Sequence, residues 1–78
     1  MLSIKVLGSG CANCRRLETR VRKVCADNDL DATIEKVTDY QDIMRWPILS
    51  TPGLVINETL VSQGRIPAEA EIARLLKS

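Results

Sequence analysis

"GSGCANCRR", residues 8–16, sets two cysteines, Cys11 and Cys14, two residues apart behind a short glycine-flanked turn. Upstream, "LSIKVLG" (2–8) reads as a strand, with Leu2, Ile4 and Val6 on one face. Downstream, Cys14, Leu17, Val21, Val24 and Cys25 step by three and four along one helical stripe, and Arg15, Arg16, Arg20, Arg22 and Lys23 occupy the rest of the helix. The pair therefore sits where a strand hands over to a helix, Cys11 at the helix start and Cys14 about one turn inside. "DNDLD" (27–31) ends that helix in turn-forming residues.

The remaining chain alternates in the same manner. "ATIEKV" (32–37) is a second strand whose faces are imperfectly sorted, since Lys36 falls in phase with Ala32 and Ile34. "TDYQDIMR" (38–45) starts a short helix, with Thr38 as N-cap and Gln41 completing a capping box. Trp46-Pro47 ends it, because a residue before proline disfavours helical dihedrals. "GLVIN" (53–57) and "TLVSQ" (59–63) are third and fourth strands joined at Asn57-Glu58, a tight hairpin without the strongest Asn-Gly signal. "IPAEAEIARLLKS" (66–78) is the last helix, with Pro67 near its first turn and Ile72, Leu75 and Leu76 as its buried stripe. The order β-α-β-α-β-β-α predicts an α/β domain. The first strand–helix–strand unit requires parallel pairing and the closing hairpin antiparallel pairing, giving a mixed four-stranded sheet covered by helices.

Seventy-eight residues make one domain, 1–78, with a thin core; at this size folding removes only about 60% of the unfolded chain's surface from water. Almost half the residues are apolar, but there is no Phe, one Trp and one Tyr, so Val, Ile, Leu and Ala must build that core. Eleven basic against ten acidic residues leave a net charge of +1, and nothing in that balance suggests bulk nucleic-acid binding. No apolar stretch approaches the roughly 20 residues of a membrane span, and no signal-peptide core follows Met1, so the expectation is a soluble, cytoplasmic monomer.

Three cysteines in such a chain do not form a disulfide framework and point instead to redox or metal chemistry. A helix N-terminus presents unpaired N–H groups and a partial positive charge, both of which favour a thiolate at Cys11. Cys14, on the apolar stripe, is expected to be more buried. That asymmetry suits thiol–disulfide exchange, in which one sulfur attacks and its protected neighbour resolves the mixed disulfide. A structural zinc site needs four ligands, and the chain has no His. Cys25 lies about 16 Å along the same helix from Cys14 at 1.5 Å per residue, too far to join it. Two thiolates could carry a soft ion such as Cu(I), so a metal carrier stays open as a second reading. Two ordinary helix-start cysteines are the third.

At this point the sequence resembles the small single-domain thioredoxin-fold proteins described as glutaredoxin-like or thioredoxin-like redox-active disulfide proteins. The resemblance rests on "VLGSGCANC" (6–14), "STPGLVIN" (50–57) and "SQGRIPAEAEIARLL" (62–76), and spans nearly the whole chain. It implies a minimal thioredoxin fold and a protein dithiol–disulfide oxidoreductase, with a thioredoxin-like adaptor lacking turnover as a further possibility. By resemblance Cys11 is the nucleophile and Cys14 the resolving cysteine. Pro52, preceded by Thr51, matches the family's cis-proline facing the disulfide, which leaves the Thr51 backbone to pair with a substrate strand. Trp46 falls where the family often has an aromatic, either flanking the substrate groove or capping the core. The implied partners are a protein disulfide and an upstream reductase or small thiol, with no bound organic cofactor; with no His and no third cysteine nearby, no tightly held zinc or copper is expected either. Ala12-Asn13 between the cysteines differs from both the Gly-Pro of typical thioredoxins and the Pro-Tyr of typical glutaredoxins. "GRIPAE" (64–69) lacks the Asp pair with which glutaredoxins hold glutathione.

Overall fold

Strand β1 (Leu2–Leu7) runs through the middle of the sheet, and its alternation divides the molecule into two halves. The computed structural model describes residues 2–9 and 12–77. After β1 come α1 (Ala12–Asp27), β2 (Ala32–Val37), α2 (Tyr40–Ile43), β3 (Gly53–Ile56), β4 (Thr59–Gln63) and α3 (Glu69–Lys77). The sheet order is β2-β1-β3-β4, with β1 parallel to β2, and β3 antiparallel to both β1 and β4. This is the expected mixed four-stranded sheet.

Ile4 and Val6 point to the side covered by α1 and α3, where they pack with Leu17, Val21, Val24, Cys25, Leu54, Ile56, Ile72 and Leu76. Leu7 points to the other side and packs with Val37, Ile43, Ile48 and Val55 around α2. β3 is buried at all four positions because it is central and covered on both faces. β2 is an edge strand, and Thr33, Glu35 and Lys36 are exposed on it. Charges on an edge discourage pairing with other chains, which accounts for the poor sorting of its sequence.

The turns explain where elements stop. Asp29, in the left-handed region at φ 54, reverses the chain after α1, and the Leu30 N–H donates to the Cys25 carbonyl at 2.9 Å. Asn57 and Glu58 both have positive φ, 50 and 67, the conformation of a two-residue hairpin turn with the twist of its strands. Asn57 earns its place by fastening the turn to β1: its N–H donates to the Ser3 carbonyl at 2.7 Å and its Oδ1 accepts from the Ser3 N–H at 3.1 Å.

Two local expectations differ. The N-cap of α2 is Asp39 rather than Thr38; the Asp39 Oδ1 accepts from the Gln41 N–H at 2.9 Å. The reason is strand pairing, since the Val37 carbonyl still accepts from the Gly8 N–H at 3.0 Å and holds the chain extended. In α3, Ile72 and Leu76 are buried but Leu75 only half-buried, and Pro67 lies two residues ahead of the helix. The Pro67 carbonyl is taken by Arg20 Nη1 at 3.0 Å, which ties α3 to α1.

Candidate functional site

The site grows from the handover between β1 and α1. Gly8 follows the last residue of β1 and is buried; Cys14, in the first turn of α1, is 5% exposed and packs directly against it. A Cβ on Gly8 would overlap Cys14 Sγ and would stand 4.0 Å from Cβ of Thr51. Glycine is required here for close approach, whatever its dihedrals. Gly8 is thus the point at which Cys14, from one end of the sequence, meets Thr51, from the segment entering β3. Cys11 lies outside the described residues; in sequence it directly precedes the first described residue of α1.

The Thr51–Pro52 peptide bond is cis. Pro52 is buried, and its carbonyl accepts from the Gly64 N–H at 2.9 Å. Thr51 is exposed, and among the described residues its main chain makes no hydrogen bond. It edges a groove of about 480 Å³ lined by Ser9, Tyr40, Ile43, Met44, Leu49 and Ser50 among others. The large exposed apolar side chains Tyr40 (73%), Met44 (52%) and Leu49 (94%) all lie on this groove.

On the other side of Cys14 is a smaller cavity of about 140 Å³, bounded by Val6, Gly8, Cys14, Arg15, Lys36 and Thr38. Two basic residues, Arg15 and Lys36, therefore border the cavity that Cys14 lines. Lys36 Nζ is also 3.7 Å from Glu18 Oε1. The sequence carried a signal for Lys36: a lysine in phase with Ala32 and Ile34 stands where an apolar side chain is expected. Gly8 carried a weaker one, because a glycine ending a strand reads first as a turn residue.

Trp46 is placed elsewhere. It packs on the cluster of Leu7, Val37, Ile43, Ile48 and Val55, and Lys5 Nζ stands 5.6 Å from its ring centroid, a cation–π arrangement. It lines a cleft of about 550 Å³ with Lys5, Glu35, Asp42, Arg45 and Glu58, and the groove beside Thr51 does not include it.

Cys25 is buried in the α1/α3 half, and burial pushes its thiol above the ordinary range. Among the described residues no group of three or more Cys, Asp or Glu is arranged to hold a metal ion. No helix among them is long and apolar enough to cross a membrane.

Comparison with known proteins meets this geometry. A family model described as a thioredoxin domain matches residues 2–77. A thioredoxin of Methanocaldococcus jannaschii is 37% identical over 78 residues, covering 100% of this chain and 90% of that protein. A thioredoxin of Methanothermobacter thermautotrophicus is 33% identical over 76 residues, covering 97% of this chain and 99% of that protein. Among solved structures, the germline-specific thioredoxin Deadhead of Drosophila melanogaster superposes with a TM-score of 0.67 at 15% identity, covering 97% of this chain and 78% of that one, a likeness of fold. At the level of the family the activity is thiol–disulfide oxidoreduction on protein disulfides, with a reductase to restore the dithiol. With the matched domain spanning all but the terminal residues, the chain belongs to the thioredoxin family.

Proposed function

We propose that this protein exchanges electrons with protein disulfides through Cys11 and Cys14, as a single cytoplasmic domain acting as a monomer. The observation that carries the reading is the convergence at Gly8 of a buried Cys14 and an exposed Thr51 whose backbone is open to a partner. Cys11, at the start of α1 in sequence, is the attacking thiolate. It attacks one sulfur of the partner disulfide; that S–S bond breaks, one partner thiolate leaves, and a mixed disulfide forms. Cys14, losing its proton to solvent, then attacks Cys11 sulfur. The second partner thiolate leaves, two electrons have passed to the partner, and Cys11–Cys14 is oxidised. A reductase or a small thiol returns the pair to the dithiol.

Thr51 and Pro52 take the part of a docking ledge. An extended partner segment beside Thr51 can hydrogen-bond to its main chain, in the manner of an added strand, while Tyr40, Met44 and Leu49 offer apolar contact. The test is trapping in lysate together with alkylation mapped by mass spectrometry. Cys14→Ser is expected to hold partners on Cys11 as stable mixed disulfides, Cys11→Ser to hold few, and Cys11 to alkylate faster than Cys14 below pH 8 with a pKa under about 8.5. Equal trapping by the two variants, or faster alkylation of Cys14, overturns the assigned roles.

A further inference from the structure

The outer face of α1 has an uneven charge distribution. Ala12, Arg16, Thr19 and Lys23 follow one another at helical spacing, and with Arg15, Arg20 and Glu69 they line a shallow groove of about 490 Å³. The nearby acids are already engaged: Glu18 with Arg22 and Lys36, and Asp27 and Glu69 with Lys23. Arg20 is held by the Pro67 carbonyl. Arg15 and Arg16, both exposed, make no ion pair with any carboxylate among the described residues. The first turn of α1 has no acidic residue. Arginines there oppose the helix dipole, so local stability gives no reason for them. The cleft of the α2 half differs: there Glu35, Asp39, Asp42 and Glu58 are interspersed with Lys5, Lys36 and Arg45, and Lys5–Glu58 and Arg45–Asp42 pair, so it carries both signs, whereas the α1 groove sets four basic residues against Glu69.

The basic groove is continuous with the thiol site, because Arg15 lines both it and the cavity that holds Cys14. Building on the proposed redox role of that site, we infer that this face receives an acidic protein partner: the preferred substrate is a disulfide flanked on one side by Asp or Glu, whose carboxylates lie on Arg15 and Arg16 while its sulfur is presented at the start of α1. A protein segment fits this face better than a nucleic acid does. The groove is short, it contains Glu69, and it has no aromatic side chain on which a base could stack. Charges on the rim of an interface act chiefly on the rate of encounter and are screened by salt.

The test uses three peptide disulfides identical except for the four residues flanking one cysteine, made acidic, neutral or basic, with dithiothreitol as reductant. The acidic peptide is expected to be reduced with kcat/KM about three- to tenfold above the neutral one at 20 mM salt, the basic one below both, and the spread to collapse at 0.5 M salt. Arg16→Glu should remove the preference, and Arg15→Glu/Arg16→Glu should invert it. Equal kcat/KM for the three peptides at low salt overturns the inference. Reduction of neutral 2-hydroxyethyl disulfide shows separately whether the redox reading holds. Independently of turnover, the acidic peptide with serine in place of cysteine should perturb amide resonances of residues 12–23 in the full chain. Failure to do so, or tighter binding of a single-stranded oligonucleotide to the same residues, also overturns it.

Discussion

The two faces of the sheet are built to different standards. On the α1/α3 side, Leu17, Val21 and Ile72 are wholly buried and interlock with Ile4, Val6 and Leu54 from the central strands. On the α2 side Leu7 and Val55 are also wholly buried, but their cover is a four-residue helix, Ile48 and a half-buried Trp46, with a charged cleft open beside it. Helix length decides the difference. α1 and α3 present several turns of apolar stripe, whereas α2 contributes Ile43 alone as a buried residue. The proposed redox site straddles the boundary, with Cys14 from the well-packed side and Thr51 from the loosely covered one. In that proposal a buried sulfur lies next to a surface whose exposed apolar side chains and open backbone a partner can cover.

The sharpest way to break this contrast is truncation on each side. Leu17→Ala is expected to destabilise by about 3–5 kcal/mol and Ile43→Ala by about 2 kcal/mol, measured by urea unfolding. Equal losses would mean that the α2 side is packed as well as the other. A smaller effect is expected at the boundary itself. Gly8→Ala forces a methyl group onto Cys14 Sγ and should destabilise by about 1–3 kcal/mol, while also slowing the release of partners trapped on Cys11. A neutral outcome would show that Cys14 can retreat, and that the rigid side of the site is soft.

The smallest effect tests burial on the α1/α3 side. Cys25 has its thiol raised by burial, so the folded chain keeps that proton at pH values where the unfolded chain, with a cysteine pKa of about 8.5, loses it. The native state then binds more protons than the unfolded one, and stability falls as pH rises through and beyond that value. Between pH 8 and 10, wild type should lose stability more steeply than Cys25→Ala. Parallel slopes would place Cys25 in contact with solvent.

Much of this was legible in the sequence, for reasons that differ along the chain. β2 and β4 begin and end where their alternation and flanking turns indicate, and the stripe of Cys14, Leu17, Val21, Val24 and Cys25 is buried as its spacing requires. Those signals are local. The start of α2 was misplaced by one residue because pairing of Val37 with Gly8, from a distant strand, overrides the local capping preference of Thr38. The role of Trp46 could not be read because its partner, Lys5, comes from β1. The meeting of Cys14 and Thr51 over Gly8 is equally non-local. The family resemblance suggested it through the Thr-Pro motif, but nothing in the spacing of residues 8, 14 and 51 implies it.

The position of β1 at the centre of the sheet has a consequence for synthesis. β1 emerges from the ribosome first, yet its partners follow about thirty residues later for β2 and about fifty for β3. Once β1, α1 and β2 have been made, they can pair, but the opposite edge of β1 stays bare until Leu54 and its neighbours arrive. The nascent chain therefore passes through an interval in which β1 offers unpaired backbone groups along one edge to any other chain nearby, until β3 of the closing hairpin covers it.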